Sequence, residues 1–406
     1  MRVLLAHNYF HVVGGADRFY HGVGSVLAAR GHDVAYLAPA DDRNPDTPWS
    51  SYFPTPAEYK TGSLAVRIGG FPRMVYSRES RESCRRLIAD FRPDIAHAFA
   101  VHVRLTPSVL DACREARVPV VMSCNDYKLI CPNSRLYTGG LLCERCRGGK
   151  FYHATFNRCL HDSSVFSLAG TLEAYVHRWL DIYRKNVHTF LFASRFMARK
   201  TEEFWGAGTF RWRMLRNPFD SPAHSLRQGY RDYLLYFGRL TGEKGVDVLL
   251  RAMSQCPEAV LRVVGDGPEE SALRALRDTL SPRNVEFVGP RWGAELDAEL
   301  GDARFVVVPS VWHENFPYVI LQAFAAGKAV IGTDRGGIPE LVRNGEFGYV
   351  YPAQDAPALA ARISQLWHDP DRAVAMGMAA KQWADREFND DAFYQALMAA
   401  YAEVAG

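Results

Sequence analysis

No stretch of this 406-residue chain approaches the roughly 20 consecutive apolar residues that a membrane-crossing helix needs, which excludes a spanning helix. Met1 to Phe10 lacks the cationic start and long apolar run of a secretory signal, so the expectation is a cytoplasmic protein. Low-complexity tracts and short-period repeats are also missing, and solenoid architectures go with them. An excess of one charge is missing as well: 48 Lys and Arg face 45 Asp and Glu, a net +3. The basic residues come with no recognised nucleic-acid module, and no nucleic-acid partner is expected. Cysteine is sparse, eight residues in all, and a cytoplasmic setting argues against disulfides.

What is present is apolar substance for two cores. A chain of this length with 48% hydrophobic residues exceeds one ordinary α/β core, so two domains of similar size are expected. Charge divides between them. Residues 1–220 hold 30 Lys/Arg against 20 Asp/Glu and residues 221–406 hold 18 against 25, a balance of +10 and then −7. A basic half suits anionic lipid, phosphorylated substrates or nucleic acid, and equally an ordinary solvated surface.

The chain opens with the apolar run Arg2–Ala6, a glycine turn at Gly14-Gly15, and helical spacing through Phe19, Val23, Val26 and Leu27. Further strands are expected at Asp33–Ala38, Ile95–Phe99, Val118–Ser123 and Thr189–Ala193, with helical segments between them. Such alternation predicts a mainly parallel, doubly wound sheet. The helical text stops around Arg216–Asp220, and a polar stretch runs to Arg231, where a hinge is placed. The same grammar restarts with strands at Tyr233–Phe237, Val260–Val264, Val285–Val288, Phe305–Val308, Ala329–Gly332 and near Gly348–Val350, and a helix at Val246–Met253. The expected domains are 1–216, with a Cys-rich insertion at 124–159, then 217–385, and a closing helix at 386–406.

Between the strand ending at Phe237 and the helix at Val246, Gly238-Arg-Leu-Thr-Gly-Glu-Lys244 sets two cations, Arg239 and Lys244, in a glycine-bearing loop. Open α/β sheets bind ligands at this kind of strand end. Two cations beside backbone N–H groups suit a diphosphate whose charge grows as it leaves. A second polar turn, after Pro309, holds Glu314 and Asn315, and a helix from about Pro317 carries Gln322. A carboxylate suits sugar hydroxyls, and an amide suits a ribose diol. The turn Gly265-Asp-Gly267-Pro268 and the run Gly336-Gly-Ile-Pro-Glu340 complete the set.

These motifs together resemble the retaining glycosyltransferases of family 4, and the resemblance covers nearly the whole length. It implies the GT-B fold, two facing Rossmann-like doubly wound domains with a cleft between them, and a metal-independent transfer of a sugar from a nucleotide diphosphate sugar to an unidentified acceptor. By the resemblance Gly14 and Gly15 approach the donor phosphates, Arg239 and Lys244 bind the diphosphate beside Gly238, and Glu314 holds donor-sugar hydroxyls with backbone amides near Asn315 and Phe316, Pro317 lying next to them on the donor side. Gln322 holds the ribose, the base lies by Val288, and the final helix returns to the first domain. The pattern departs twice. Gln322 stands where the family has Glu, and Asn125-Asp126-Tyr127 stands where many relatives read His-Asp-Tyr. His97, at the preceding strand end, is a candidate substitute on the acceptor side, with Asn125 and Asp126. No carboxylate pair or nucleophile for double displacement is evident, so attack from the leaving-group face is expected. Competing functions are a GT-B nucleotide-sugar epimerase or hydrolase, and a non-catalytic nucleotide-sugar-binding protein.

Two features lie outside that pattern. Cys131-x11-Cys143-x2-Cys146-x12-Cys159 has the ligand count of a structural zinc site, with an iron–sulfur cluster or unmetallated thiols as alternatives. A helix over Leu172–Val187 sets Leu172, Tyr175, Val176, Trp179, Leu180, Tyr183 and Val187 on one face, opposite Arg178, Arg184 and Lys185. That face fits a core or an anionic membrane surface. Arg73, Arg78, Arg81, Arg85 and Arg86 would extend the basic surface, giving a protein peripheral at the inner membrane face.

Overall fold

Short runs of four or five apolar residues become strands buried on both faces, as parallel sheets flanked by helices require. The computed structural model of the protein describes residues 1–57, 64–223, 231–280 and 284–405. Its first six-stranded sheet comprises β1 (Arg2–Ala6), β2 (Asp33–Leu37), β3 (Ile95–Ala98), β4 (Val120–Cys124), β5 (Thr189–Phe192) and β6 (Trp212–Met214), in the order β2-β1-β3-β4-β5-β6. The second comprises β7 (Leu234–Phe237), β8 (Leu261–Val264), β9 (Val285–Gly289), β10 (Phe305–Val308), β11 (Ala329–Thr333) and β12 (Gly348–Tyr351), in the order β9-β8-β7-β10-β11-β12. All pairings within both sheets are parallel, with Val3 opposite both Val34 and Ile95 in the first and Leu235 opposite Val306 in the second. Each sheet is Rossmann-like and doubly wound. Strand order reverses direction between β1 and β3 in the first sheet and between β7 and β10 in the second.

The chain forms two units. One contains Met1–Thr138, Cys143–Pro218 and Phe393–Gly406, and the other contains Gly139–Leu142 and Phe219–Ala392. Within the first, the two-residue period of β1 divides its core: Leu4 and Ala6 pack with Leu87, Val109 and Met122 on one face, and Val3 and Leu5 with Phe19, Tyr20 and Val23 on the other. Phe393, Leu397, Ala400 and Tyr401, near the end of the chain, belong to the second of these clusters.

Two expectations are corrected. The edge strand β6 is not among the expected strands, because Arg211 and Arg213 alternate with half-buried Trp212 and Met214 and leave no continuous apolar run. The helix expected over Leu172–Val187 instead spans Ser164–Trp179, with the Ser163 hydroxyl capping its start. Asp181 takes a left-handed conformation, φ 48°, and breaks it. Tyr183 and Val187 are buried beyond that break, so the expected single face does not exist.

Candidate active site

In the second unit, the loops that follow β7 and β10 leave the carboxyl ends of adjacent strands at the switch of strand order, where open α/β sheets hold ligands. Lys244 comes from the first loop and Glu314 from the second. Lys244 Nζ donates to Glu314 Oε1 at 2.6 Å, and Ser310 Oγ donates to the same oxygen at 2.8 Å. Glu314 is only 6% exposed. Burial alone would push its carboxyl up, yet the charge and hydrogen bond of Lys244, together with the Ser310 hydroxyl, hold it below the usual carboxylate range. The carboxylate is therefore ionised at neutral pH, fixed in place, and able to accept hydroxyl protons from a polyol.

Backbone contacts lock these loops to one another. Val311 N–H donates to Glu243 O at 3.0 Å and Gly337 N–H to Glu314 O at 2.7 Å. Gly245 (φ 68°) and Gly336 (φ 59°) must be glycine, because a side chain there would run into the carbonyl oxygens of Pro309 and Glu314 respectively. The Gly265–Pro268 turn supports the first loop from below, with Leu240 N–H donating to Asp266 O at 2.7 Å. Arg239 is exposed on the same loop and makes no ion pair among the described residues. Gly238 starts the loop, its N–H bonded to Val264 O at 3.0 Å. Asn315 is half-buried, Phe316 is buried against Phe388, and Pro317 caps the helix Tyr318–Ala325, on which Gln322 is half-buried. Val288 lies half-buried near the end of the edge strand β9. The structure thus joins Lys244 to Glu314 directly, whereas Arg239 stands apart from that pair.

The glycine turn of the first unit follows β1, and the helix Gly15–Ala28 begins at its second glycine. Asp17 pins this turn: Oδ2 accepts from Val13 N–H at 2.8 Å and Gly14 N–H at 2.7 Å, while Oδ1 accepts from His7 Nε2 at 2.7 Å. His7 Nδ1 accepts from Ala100 N–H at 3.2 Å, which fixes the proton on Nε2. Sequence reasoning passed over both residues, although an acid in the first turn of a helix after a glycine loop is a legible cap.

His97 is not placed to meet a ligand. It is fully buried, stacked on Phe99, and bonded through Nε2 to Ser123 Oγ at 2.8 Å and through Nδ1 to Tyr401 OH at 2.9 Å. Burial brings its pKa down to about 3, so it packs as a neutral ring. Asn125 Nδ2 is buried without a hydrogen-bond partner among the described residues. Asp126 Oδ1 accepts from Lys128 N–H at 2.8 Å, and burial raises its carboxyl despite Lys128 and His7. Lys128 continues the polar chain to Glu173 Oε2 at 2.8 Å, at the wall of a cavity of about 90 Å³ that His177, Arg178 and Tyr183 also line.

The cysteine expectation gains no support. Cys131, Cys143, Cys146 and Cys159 line one small cavity with His153, yet among the described residues no three His, Cys, Asp or Glu side chains are placed to hold a metal ion. Zinc and an iron–sulfur cluster are therefore not supported. Cys131 Sγ lies 2.9 Å from Asn133 Oδ1 as a donor, and burial with the neighbouring cysteines pushes the Cys146 thiol up to about 12. The basic surface expected around Arg73–Arg86 is largely neutralised, since Arg73, Arg81 and Arg85 pair with Glu79, Glu115 and Glu82.

Comparison with known proteins decides the family. The model of glycosyltransferase family 4 matches residues 13–221, and that of the glycosyl transferases group 1 matches residues 220–383. The chain belongs to glycosyltransferase family 4. Glycogen synthase of Mycobacterium tuberculosis is 27% identical over 97% of this chain and 91% of its own length. A GDP-mannose-dependent α-(1-6)-phosphatidylinositol monomannoside mannosyltransferase of Mycolicibacterium smegmatis is 32% identical over 38% of this chain and 44% of its own. Among solved structures, sucrose-phosphate synthase of Thermosynechococcus elongatus superposes with a TM-score of 0.71 at 19% identity, covering 99% of this chain and 98% of that one. HepE of Anabaena, solved with UDP-glucose, reaches 0.67 at 16% identity over 99% and 100%. These likenesses establish the GT-B type of fold, and the family establishes a glycosyltransferase.

Proposed function

We propose that the protein transfers a glycosyl group from a nucleotide diphosphate sugar to an acceptor hydroxyl, with retention at the anomeric carbon and without a divalent cation. The Lys244–Glu314 pair carries this reading: a buried, ionised carboxylate for sugar hydroxyls is held beside a cation, and Arg239 stands exposed on the same loop. The donor class is supported by HepE, a protein of the same fold solved with UDP and glucose. In the step itself the bond from the anomeric carbon to the diphosphate oxygen breaks, the bond to the acceptor oxygen forms on the same face, and the acceptor proton passes to the departing diphosphate. Arg239 and Lys244 stabilise the charge that develops there, and Glu314 orients the sugar. Gln322 serves the ribose diol, its amide donating and accepting.

Arg239→Ala and Lys244→Ala should each lower transfer by about two orders of magnitude or more, the scale of losing one transition-state charge partner. Near-wild-type turnover in both would overturn the placement of the donor. Product analysis by NMR should show the donor's anomeric configuration kept and activity unaffected by chelator. Epimerisation or hydrolysis with donor alone, and no transfer to any acceptor, would replace this reading with the epimerase or hydrolase. Gln322→Glu, which installs the family's residue, should leave donor affinity equal or higher.

A further inference from the structure

The helix Ser164–Trp179 is inside out. The residues it buries are Ser167, Gly170, Thr171, Glu173 and His177, polar or small, while Val165, Leu168, Leu172, Tyr175 and Trp179 are exposed. Spaced three and four apart, those five form one continuous stripe. The polar side is engaged within the fold: Glu173 pairs with Lys128, His177 Nε2 donates to Val75 O at 2.7 Å, Thr171 bonds Thr155, and Gly170 admits Leu160. Packing of this unit therefore does not account for the apolar side. The neighbouring short helix Tyr152–Phe156 adds to it, with Tyr152 N–H bonded to Tyr175 OH and Phe156 81% exposed beside Tyr152. Trp179 ends the stripe at 83% exposure.

We infer that this helical pair is a docking surface for a bilayer bearing anionic lipid. Charge selects that occupant. From residue 145 to 185 seven Lys or Arg accompany three Asp or Glu, and of these acids Glu173 is buried against Lys128 and Asp181 is bonded to Arg184. Lys150, Arg158 and Arg178 are exposed around the stripe. Trp and Tyr rings settle at headgroup level, and cations beside them are drawn to the negative surface within a Debye length. A second copy would bring the same cations face to face, which opposes self-association. The surface stands independently of the catalytic reading, because retention on a membrane needs no turnover.

The test is co-sedimentation of the full chain with vesicles of phosphatidylcholine, with and without phosphatidylglycerol, across a salt series. The expected result is retention on the phosphatidylglycerol vesicles at low salt, release as salt rises, and a blue shift of fluorescence that Trp179→Phe removes. Leu172→Glu with Trp179→Glu, and separately Lys150→Glu with Arg158→Glu, should each weaken retention about ten-fold or more at an unchanged melting temperature. No retention at low salt, or retention unchanged in both variants, overturns the inference. So does a concentration-dependent dimer that Leu172→Glu with Trp179→Glu dissolves while vesicles retain nothing.

Discussion

At the scale of single residues, Lys244 and Glu314 answer to each other before they answer to any ligand. Removing the lysine leaves a carboxylate that is 6% exposed without its charged donor, which costs about 2 kcal/mol of stability besides the loss of activity. Denaturant unfolding should therefore show Lys244→Ala destabilised, while the pair Lys244→Met with Glu314→Gln recovers most of that stability and none of the activity. Recovery of turnover in the double variant would mean that neither charge serves the reaction. His97 makes a different prediction. Its folded pKa of about 3 lies below the ordinary 6.5, so the unfolded chain binds the extra proton between those values. Stability from this residue is complete above pH 6.5 and is lost as pH falls toward 3, about 2 kcal/mol by pH 5. Burial lowers His102 and His177 in the same direction. Unfolding free energies at pH 7.5 and 5 should differ accordingly, and His97→Gln should flatten the slope.

At the scale of elements, the glycine turn after β1 owes its shape to a carboxylate in the helix that follows. Asp17→Ala should free the Val13 and Gly14 N–H groups, cost roughly 1–2 kcal/mol, and speed hydrogen exchange at those two amides without touching the second unit. Elements also show what the sequence could and could not disclose. Apart from the edge strand β6, the strand positions were legible within a residue or two, because a parallel strand buried on both faces is a short unbroken apolar run. The Lys244 and Glu314 loops were legible because glycine and charge cluster where strands end. The Cys-x2-Cys spacing was equally plain, and the fold does bring the four cysteines to one small cavity, yet spacing along a chain does not fix the Sγ positions that ligation requires. The helix Ser164–Trp179 was misplaced for another reason: periodicity reports that an apolar stripe exists, but it runs on past Asp181, where the backbone breaks, and does not say which side faces protein. Partners such as His7 and Asp17 were invisible as a pair, since only the turn brings them together.

At the scale of the whole chain, the two-unit plan follows from length and from the restart of the strand–helix grammar at Tyr233, but the exchange of segments between the units is finer than that grammar. The first unit is discontinuous, and its second core cluster includes Phe393, Leu397 and Tyr401. Each such side chain contributes about 1.5–3 kcal/mol by burial, so their joint loss rivals the whole stability of an ordinary domain. A chain ending at Ala392 should lose the near-ultraviolet circular dichroism and the calorimetric transition of the first unit while keeping those of the second; two intact transitions would contradict this. Leu397→Ala alone should cost roughly 2–5 kcal/mol.

The same discontinuity sets an order of events on the ribosome. Domains ordinarily complete themselves in the sequence in which they are made, the amino-terminal one first. Here residues 219–392 emerge before the tail that covers Val3, Leu5 and Phe19, so the unit encoded later is finished earlier. Until Phe393, Leu397 and Tyr401 have been made, the face of the amino-terminal sheet that carries Val3 and Leu5 has only the helix Gly15–Ala28 and its neighbours for cover, and part of that core waits for the tail.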